Sequence, residues 1–298
     1  MFDPRRLQCL YAVHVHGSVI DAAFELGMTA SAVSQQIGKL EREVGALLLE
    51  RAGRGVVLTD AALVLVDAAR QIDGVTERAQ ARLDALRDDL TGTLRVASFP
   101  SAIQALVAPV LGELRVSAPN LRVRVHEMFP DRGHDAVVAG HVDVAVVDAW
   151  THMTPSFSAG LEVTVLLEDP VDLLLPVGHR LADQESISVS DLVDDIWVAD
   201  DREGFFRAWL INRMGRVRGR PRIDFRVDEA PAQVALTSAG LCVGLMPRLG
   251  LVELPDTVRL VPIEGEAPSR RIFALSRESS SRRPAVAHIV EAMRTLLL

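Results

Sequence analysis

The sequence predicts an α+β chain of more than one domain, with a helical N-terminal head, a long linker helix and a C-terminal α/β part. Three observations lead to this prediction. Residues 18–45 have the pattern of two short helices joined by a tight turn. Residues 60–90 contain no proline and carry a seam of mostly apolar residues at alternating steps of four and three. From residue 91 onwards, short apolar runs alternate with helical segments, which is typical of α/β folds.

The two helices of the head have recognisable ends. Ser18 and Asp21 have the spacing of a capping box, and Gly27 fits the left-handed position after a helix end. Thr29 can cap the second helix. The second helix has one apolar face, made of Val33, Ile37, Leu40 and Val44.

The opposite face of the second helix is polar, with Ser31, Gln35, Gly38 and Arg42 flanked by Ser34 and Lys39. Such a face can enter the major groove of DNA, where glutamine bonds adenine at two atoms and basic side chains bond phosphates. A helix pair whose polar face only contacts solvent has the same pattern. Residues 49–59 favour DNA binding, because they place Arg51 and Arg54 in a predicted hairpin that can act as a wing beside phosphates.

With these motifs in order, the chain resembles the LysR-type transcriptional regulators. The matching segments are Ala22-Ala23-x-x-Leu26, Ser31-Ala-Val-Ser-Gln-Gln-Ile-x-x-Leu-Glu41, Gly45-x-x-Leu-Leu-Glu-Arg51 and Gly53-Arg-Gly-Val-x-Leu-Thr59. The resemblance implies a winged helix-turn-helix on a double-stranded DNA operator. The chain has Ala30 where the family often has glutamine and Gln35 where it often has arginine, which shifts the expected base readout towards Gln35. The expected DNA-binding residues are Thr29, Ala30, Ser31, Ser34, Gln35, Lys39, Arg42, Arg51 and Arg54.

The charge of the chain limits what kind of DNA binding is expected. The net charge is −8, and residues 1–59 contain six basic and six acidic side chains, so any basic surface is local. This balance argues against a sequence-tolerant architectural DNA protein, which relies on phosphate neutralisation. It is compatible with specific binding by a dimer.

The long helix predicted over 60–90 has the spacing of a coiled coil. Its seam consists of Leu65, Ala69, Ile72, Thr76, Ala79, Leu83, Leu86 and Leu90. A single helix packed on its own domain would also give this pattern, but its length favours a helix that pairs two chains. A homodimer supplies two recognition helices at a fixed spacing. The resemblance adds the expectation of a homotetramer.

The C-terminal part predicts parallel sheets with helices on both faces. The predicted strands are 94–98, 121–126, 142–147, 161–168, 171–176, 196–199, 223–227, 241–246, 258–262 and 271–275, and the predicted helices are 101–117, 135–140, 205–214, 231–239 and 284–298. The resemblance implies a periplasmic-binding-protein-like (type 2) effector domain with two subdomains. The expected domains are 1–59 (winged helix-turn-helix), 60–90 (linker helix) and 91–298 (effector domain), with subdomain I at about 91–165 and 266–298 and subdomain II at about 166–265.

A small-molecule effector is expected beyond the carboxyl ends of the strands, where helix N-termini offer unpaired N–H groups. The candidate residues are Ser98, Phe99, Pro100, Ser101, Asp148, Asp200, Asp201, Arg202, Phe205 and Met246. Serine and aspartate at such positions are also common caps and turn residues. Asp148, Asp200 and Asp201 are expected to lie near one another, with Arg202 neutralising one of them. An amphoteric or cationic effector is therefore a hypothesis.

No pattern in the chain indicates an enzyme or a cofactor. There is no phosphate-binding loop, dinucleotide fingerprint or nucleophile elbow, and the histidines lack zinc-site spacing. Cys9 and Cys242 lie in apolar settings and are expected to be buried thiols. With no signal-peptide pattern and no run of about 20 apolar residues, we expect a cytoplasmic protein with no membrane partner. The alternative is a soluble α/β ligand-binding or enzymatic domain whose helical head makes only protein contacts.

Overall fold

A computed structural model gives the fold and describes residues 2–52, 55–85, 90–151, 155–200, 205–215, 220–250 and 254–296, without the side chains of 51–52, 55, 77–78, 80–82 and 84–85. The chain divides into two compact units, an N-terminal unit (Met1–Asp89 with Arg282–Pro284) and a C-terminal unit (Leu90–Ser281 with Ala285–Leu298). In the described residues, every helix is too short or too polar to cross a membrane.

The N-terminal unit contains the predicted helix pair and hairpin. Its elements are α1 (Pro4–His16), α2 (Val19–Glu25), α3 (Ala30–Val44), β1 (Leu49–Ala52), β2 (Gly55–Leu58) and α4 (Asp60–Ala85). Strands β1 and β2 pair antiparallel, from Leu49 opposite Leu58 to Ala52 opposite Gly55. One apolar core joins the helices to the base of the hairpin through side chains such as Leu10, Leu40 and Leu48.

The predicted ends of α2 and α3 are confirmed. The hydroxyl of Ser18 accepts the backbone N–H of Asp21 at 3.0 Å, and that of Thr29 accepts the N–H of Ala32 at 3.2 Å. Gly27 has a φ of 62°, in the left-handed region that favours glycine. These caps satisfy helix N–H groups that have no partner within the helix.

Helix α4 changes its environment along its length. Leu65 and Ala69 are buried in the core of the N-terminal unit. Further along the predicted seam, Ile72 and Leu83 are 42% and 56% exposed. The first turns of α4 therefore pack on their own unit, and Ile72 and Leu83 contact solvent in the single chain.

The C-terminal unit is built on two groups of strands. Its elements are β3 (Gly92–Ser98), α5 (Pro100–Ala102), a π-helical turn (Ile103–Val107), α6 (Ala108–Ser117), β4 (Leu121–Glu127), α7 (Pro130–Val138), β5 (Val144–Trp150), β6 (Leu161–Pro176), a 3-10 turn (Val189–Leu192), β7 (Ile196–Ala199), α8 (Phe205–Gly215), β8 (Arg222–Arg226), α9 (Ala230–Ser238), β9 (Gly244–Pro247), a 3-10 turn (Arg248–Gly250), β10 (Val258–Val261), β11 (Ser269–Arg277) and α10 (Pro284–Thr295). We call β3, β4, β5, β11 and the first part of β6 lobe I. Lobe II consists of the second part of β6 with β7–β10 and α8, which packs on these strands.

Strand β6 belongs to both lobes, and the prediction of two strands at 161–168 and 171–176 is wrong. Residues Leu161–Pro170 pair with β11, and Val171–Pro176 pair with β9 and β10. Pro170 lies where the pairing passes from β11 to β9, so its missing N–H interrupts neither ladder. The expectation of parallel sheets also needs correction. Strand β3 is parallel to β4 and β5, and β7 is parallel to β8, but β11 is antiparallel to β5 and β6, as β6 is to β9 and β10.

Helices cover both faces of the lobe I sheet, as predicted. Val96 of β3 packs with Leu106 and Ile289 on one face, and its neighbour Ala97 packs with Val137 on the other. This alternation follows from the two-residue period of a strand. It places the start of α5 directly after the carboxyl end of β3.

Candidate functional site

The N-terminal unit presents one polar face of α3 to solvent. Val33, Ile37 and Leu40 are buried against the core, which fixes the orientation of the helix. Ala30 is half-buried and packs against the same core. The exposed predicted DNA-binding residues are Thr29, Ser31, Ser34, Gln35, Lys39 and Arg42. The side chain of Arg51 and all of Arg54 lie outside the described residues.

The hairpin is attached to α3 by a side chain that sequence reasoning missed. Glu41 accepts the backbone N–H groups of Leu48 and Leu49 with one carboxylate oxygen, at 2.9 and 3.3 Å. Thr59 donates its hydroxyl to the carbonyl of Leu47 at 2.8 Å. These bonds hold the base of the hairpin against the end of α3. The spacing of Glu41 from the hairpin gave no signal, because the contact is made across a turn.

In the C-terminal unit, a buried arginine joins several of the predicted effector residues. Arg270, in β11, donates from Nη2 to the hydroxyl of Ser101 at 2.9 Å and from Nη1 to Asp148 at 3.0 Å. Its Nε donates to Asp169 at 2.9 Å. Its guanidinium carbon lies 5.0 Å from the ring centre of Phe99. Sequence reasoning missed Arg270 and Asp169, since nothing local marks their approach to the end of β3.

An aromatic cluster lies beside this arginine and connects the two lobes. Trp150, at the end of β5, stacks on Phe205 of α8, with ring centres 4.4 Å apart and planes 7° apart. Phe206 meets Trp150 edge-on at 4.6 Å. The guanidinium carbon of Arg270 is 5.8 Å from the Trp150 ring. Aromatic faces attract cations, so this surface favours positively charged or aromatic groups.

The other predicted effector residues lie in different surroundings. Ser98 is fully buried, and Met246 is buried in an apolar core with Leu174 and Val234. Pro100 begins α5. Asp201 and Arg202 lie outside the described residues.

Asp148 and Asp200, predicted to lie together, have different described neighbours. Burial raises the pKa of Asp148, against the lowering effect of Arg270. Partial burial also raises the pKa of Asp200, whose carboxylate accepts the backbone N–H of Arg207 and lies near Asp228. One carboxylate oxygen of Asp200 is buried without a hydrogen-bond partner in the described structure. Each carboxylate therefore retains part of its desolvation cost.

The described ranges contain no group of three or more His, Cys, Asp or Glu side chains placed to hold a metal ion. Cys9 and Cys242 are buried free thiols, and burial raises the pKa of both.

Two family models match the chain. "Bacterial regulatory helix-turn-helix protein, lysR family" matches residues 4–63, and "LysR substrate binding domain" matches residues 87–297. An HTH-type transcriptional regulator of Escherichia coli (strain K12), YnfL, described as uncharacterized, is 27% identical over 282 residues, which is 92% of this chain and 93% of that protein. The HTH-type transcriptional regulator ClcR of Pseudomonas putida is 28% identical over 255 residues, 85% of each chain.

Solved structures share the fold. A full-length OxyR variant from Pseudomonas aeruginosa has a TM-score of 0.74 at 20% identity and covers 99% of this chain and 95% of its own. Full-length CbnR in complex with its target DNA has a TM-score of 0.55 at 24% identity and covers 98% of this chain and 99% of its own.

Proposed function

The chain belongs to the LysR family of bacterial regulatory helix-turn-helix proteins and is a DNA-binding transcriptional regulator with an effector-binding domain, and from this premise we propose how its parts divide the work. Residues 1–59 read the operator, 60–90 pair two chains, and 91–298 bind a small molecule. The observation that carries the proposal is α3, which has one face fixed in the core and an exposed polar face.

On the operator, we assign base contacts to the N-terminal half of α3. Ser31, Ser34 and Gln35 are exposed there, which is the part of a recognition helix that meets base edges. Gln35 can bond adenine through two atoms. Thr29 and Ala30 begin the helix, and we assign Lys39, Arg42, Arg51 and Arg54 to phosphates.

Pairing of chains is assigned to the later part of α4. Ile72 and Leu83 continue the heptad seam and are exposed in the single chain. A homodimer presents two α3 helices to two half-sites, and a homotetramer extends this to two pairs. The protein then acts on DNA in the cytoplasm, as a regulator and without catalysing a reaction.

The effector is assigned to the region between the subdomains, at about 91–165 with 266–298 and at about 166–265. Ser101, Phe99 and Asp148 meet there around Arg270, and Phe205 contributes from the second lobe through Trp150. Phe99 and Ser101 follow the carboxyl end of β3, and Asp148 lies near the carboxyl end of β5, the edge of the sheet at which ligands bind in α/β folds.

The test is selection of bound duplexes from random DNA by the full-length protein. We expect a sequence with dyad symmetry and a specific affinity well above that for scrambled DNA. Gln35→Ala should then cost about 1–3 kcal/mol on the selected duplex and relax the preference at one position in each half-site. The matched control is Gln71→Ala, an exposed glutamine on α4, which should change neither value.

Failure would take a clear form. If selection yields no preferred sequence, the head makes protein contacts, and DNA binding by this face of α3 is wrong. If Gln35→Ala weakens selected and scrambled duplexes equally, Gln35 contacts phosphate and base readout lies elsewhere.

A further inference from the structure

Among the side chains that the structure describes, the charges around Arg270 do not balance. One guanidinium is paired with two carboxylates, Asp148 at 3.0 Å and Asp169 at 2.9 Å. The side chains of Arg270, Asp148 and Asp169 are 8%, 13% and 2% exposed. A surplus negative charge in such a place costs free energy unless something compensates it.

The two carboxylates have different tasks. Asp169 also accepts the backbone N–H of Leu249 at 2.9 Å, so it links β6 to the turn that follows β9. Asp148 bonds Arg270 on the side where Arg270 also bonds Ser101. The charge of Asp169 is enough to neutralise Arg270, and its hydrogen bond to Leu249 holds β6 against the turn after β9. Asp148 is the more exposed of the two carboxylates.

We infer that the carboxylate of Asp148 occupies the place on Arg270, beside Ser101, that an anionic group of a ligand would otherwise take. The site therefore takes a cationic amine. The inference rests on the proposed effector site and names the ligand class. An incoming carboxylate would add a second surplus charge and find Arg270 already bonded. An ammonium group would neutralise the surplus and lie near the Trp150–Phe205 stack, whose aromatic rings favour a cation.

The first experiment removes the internal carboxylate from the full-length protein. Asp148→Ala leaves Nη1 of Arg270 without its acceptor and leaves an unfilled space beside it, which should lower Tm despite the loss of the surplus charge. Formate should restore Tm by about 2–4 °C, because formate can take the vacated place on Arg270. Asp148→Asn is the matched control. Its amide still fills the place of the carboxylate beside Arg270, so formate finds no vacated space and should not raise the Tm of this variant. Equal rescue of both variants, or of neither, overturns the internal-ligand assignment.

The second experiment compares two probes of similar shape and opposite charge. Benzylammonium should raise the Tm of the wild-type protein and benzoate should not. Asp148→Asn, which keeps the shape and removes the charge, should abolish the benzylammonium effect. Stabilisation of the wild type by benzoate, no response to benzylammonium, or an unchanged response in Asp148→Asn would overturn the amine assignment. Neither experiment uses DNA, so they fail separately from the α3 tests of the proposed function.

Discussion

Loss of the Glu41 carboxylate should destabilise the N-terminal unit and loosen its hairpin. Glu41→Ala removes the acceptor of two backbone N–H groups, those of Leu48 at 2.9 Å and Leu49 at 3.3 Å. Hydrogen bonds to a charged group contribute about 1.5–3 kcal/mol, and a buried donor left unpaired costs a similar amount. Leu48 is fully buried, so we expect the free energy of unfolding to fall by about 2–3 kcal/mol.

The chain offers a matched control on the same helix. Glu43 forms an exposed ion pair with Arg6, and such pairs contribute about 0.2–1 kcal/mol. Urea unfolding measures the change in the free energy of unfolding, and hydrogen exchange in the native protein measures the protection of the Leu48 amide. Both should fall markedly in Glu41→Ala and change little in Glu43→Ala. Glu41→Gln, which keeps an acceptor oxygen, should lie between Glu41→Ala and the wild type. Equal effects of Glu41→Ala and Glu43→Ala would refute the argument that Glu41 anchors the hairpin.

Two further predictions concern α4 and the pH dependence of stability. Leu83→Glu places a charge on the exposed seam and should shift the protein towards monomer in sedimentation equilibrium. Gln71→Glu adds the same charge off the seam and should leave the dimer unchanged. An unchanged dimer in Leu83→Glu would contradict pairing through α4. Since the pKa of Asp148 is raised in the folded state, the unfolded chain binds fewer protons and stability falls as pH rises from the ordinary aspartate range through the raised pKa. In urea titrations, the free energy of unfolding of Asp148→Asn relative to that of the wild type should therefore increase as pH rises through this range. A difference that does not change with pH would contradict the prediction.

The head of the protein is predictable because its determinants are local. Ser18, Thr29 and Gly27 act within one turn of their own helices, and the 3.6-residue period assigns Val33 and Ile37 to the core. The sheet order of the C-terminal unit is not local in this way. Periodicity marks β6 and β11 as strands, but it cannot give their direction or show that β6 serves both lobes. The break predicted between residues 168 and 171 therefore falls inside one continuous strand.

In the candidate effector site, too, the sequence indicates the local features and misses the contacts between distant segments. The rule that ligands bind after strand ends selected Phe99, Ser101 and Asp148, and all three lie around Arg270. Asp148 was expected to follow a strand that ends at residue 147, but β5 continues to Trp150 and contains it. The rule selects positions and not side-chain directions, so it also selected Ser98 and Met246, which are buried. Arg270 is more than 100 residues from each of its partners in lobe I, and only the antiparallel pairing of β11 with β5 and β6 brings it there.

The position of Arg270 also explains how a ligand at this site can act on the whole C-terminal unit. Arg270 and Asp169 lie opposite one another in β11 and β6, next to the point where β6 passes from one lobe to the other. Asp169 accepts an N–H from Leu249, and Leu249 packs against the core of lobe I. A ligand that changes the Arg270–Asp148 pair therefore acts on a side chain already bonded to the strand shared by both lobes. Coupling between sites typically requires only about 1–3 kcal/mol of differential binding. One charge-assisted hydrogen bond made in one lobe arrangement and not in the other is of that size, so a single bond from the proposed ligand to this cluster can supply the coupling.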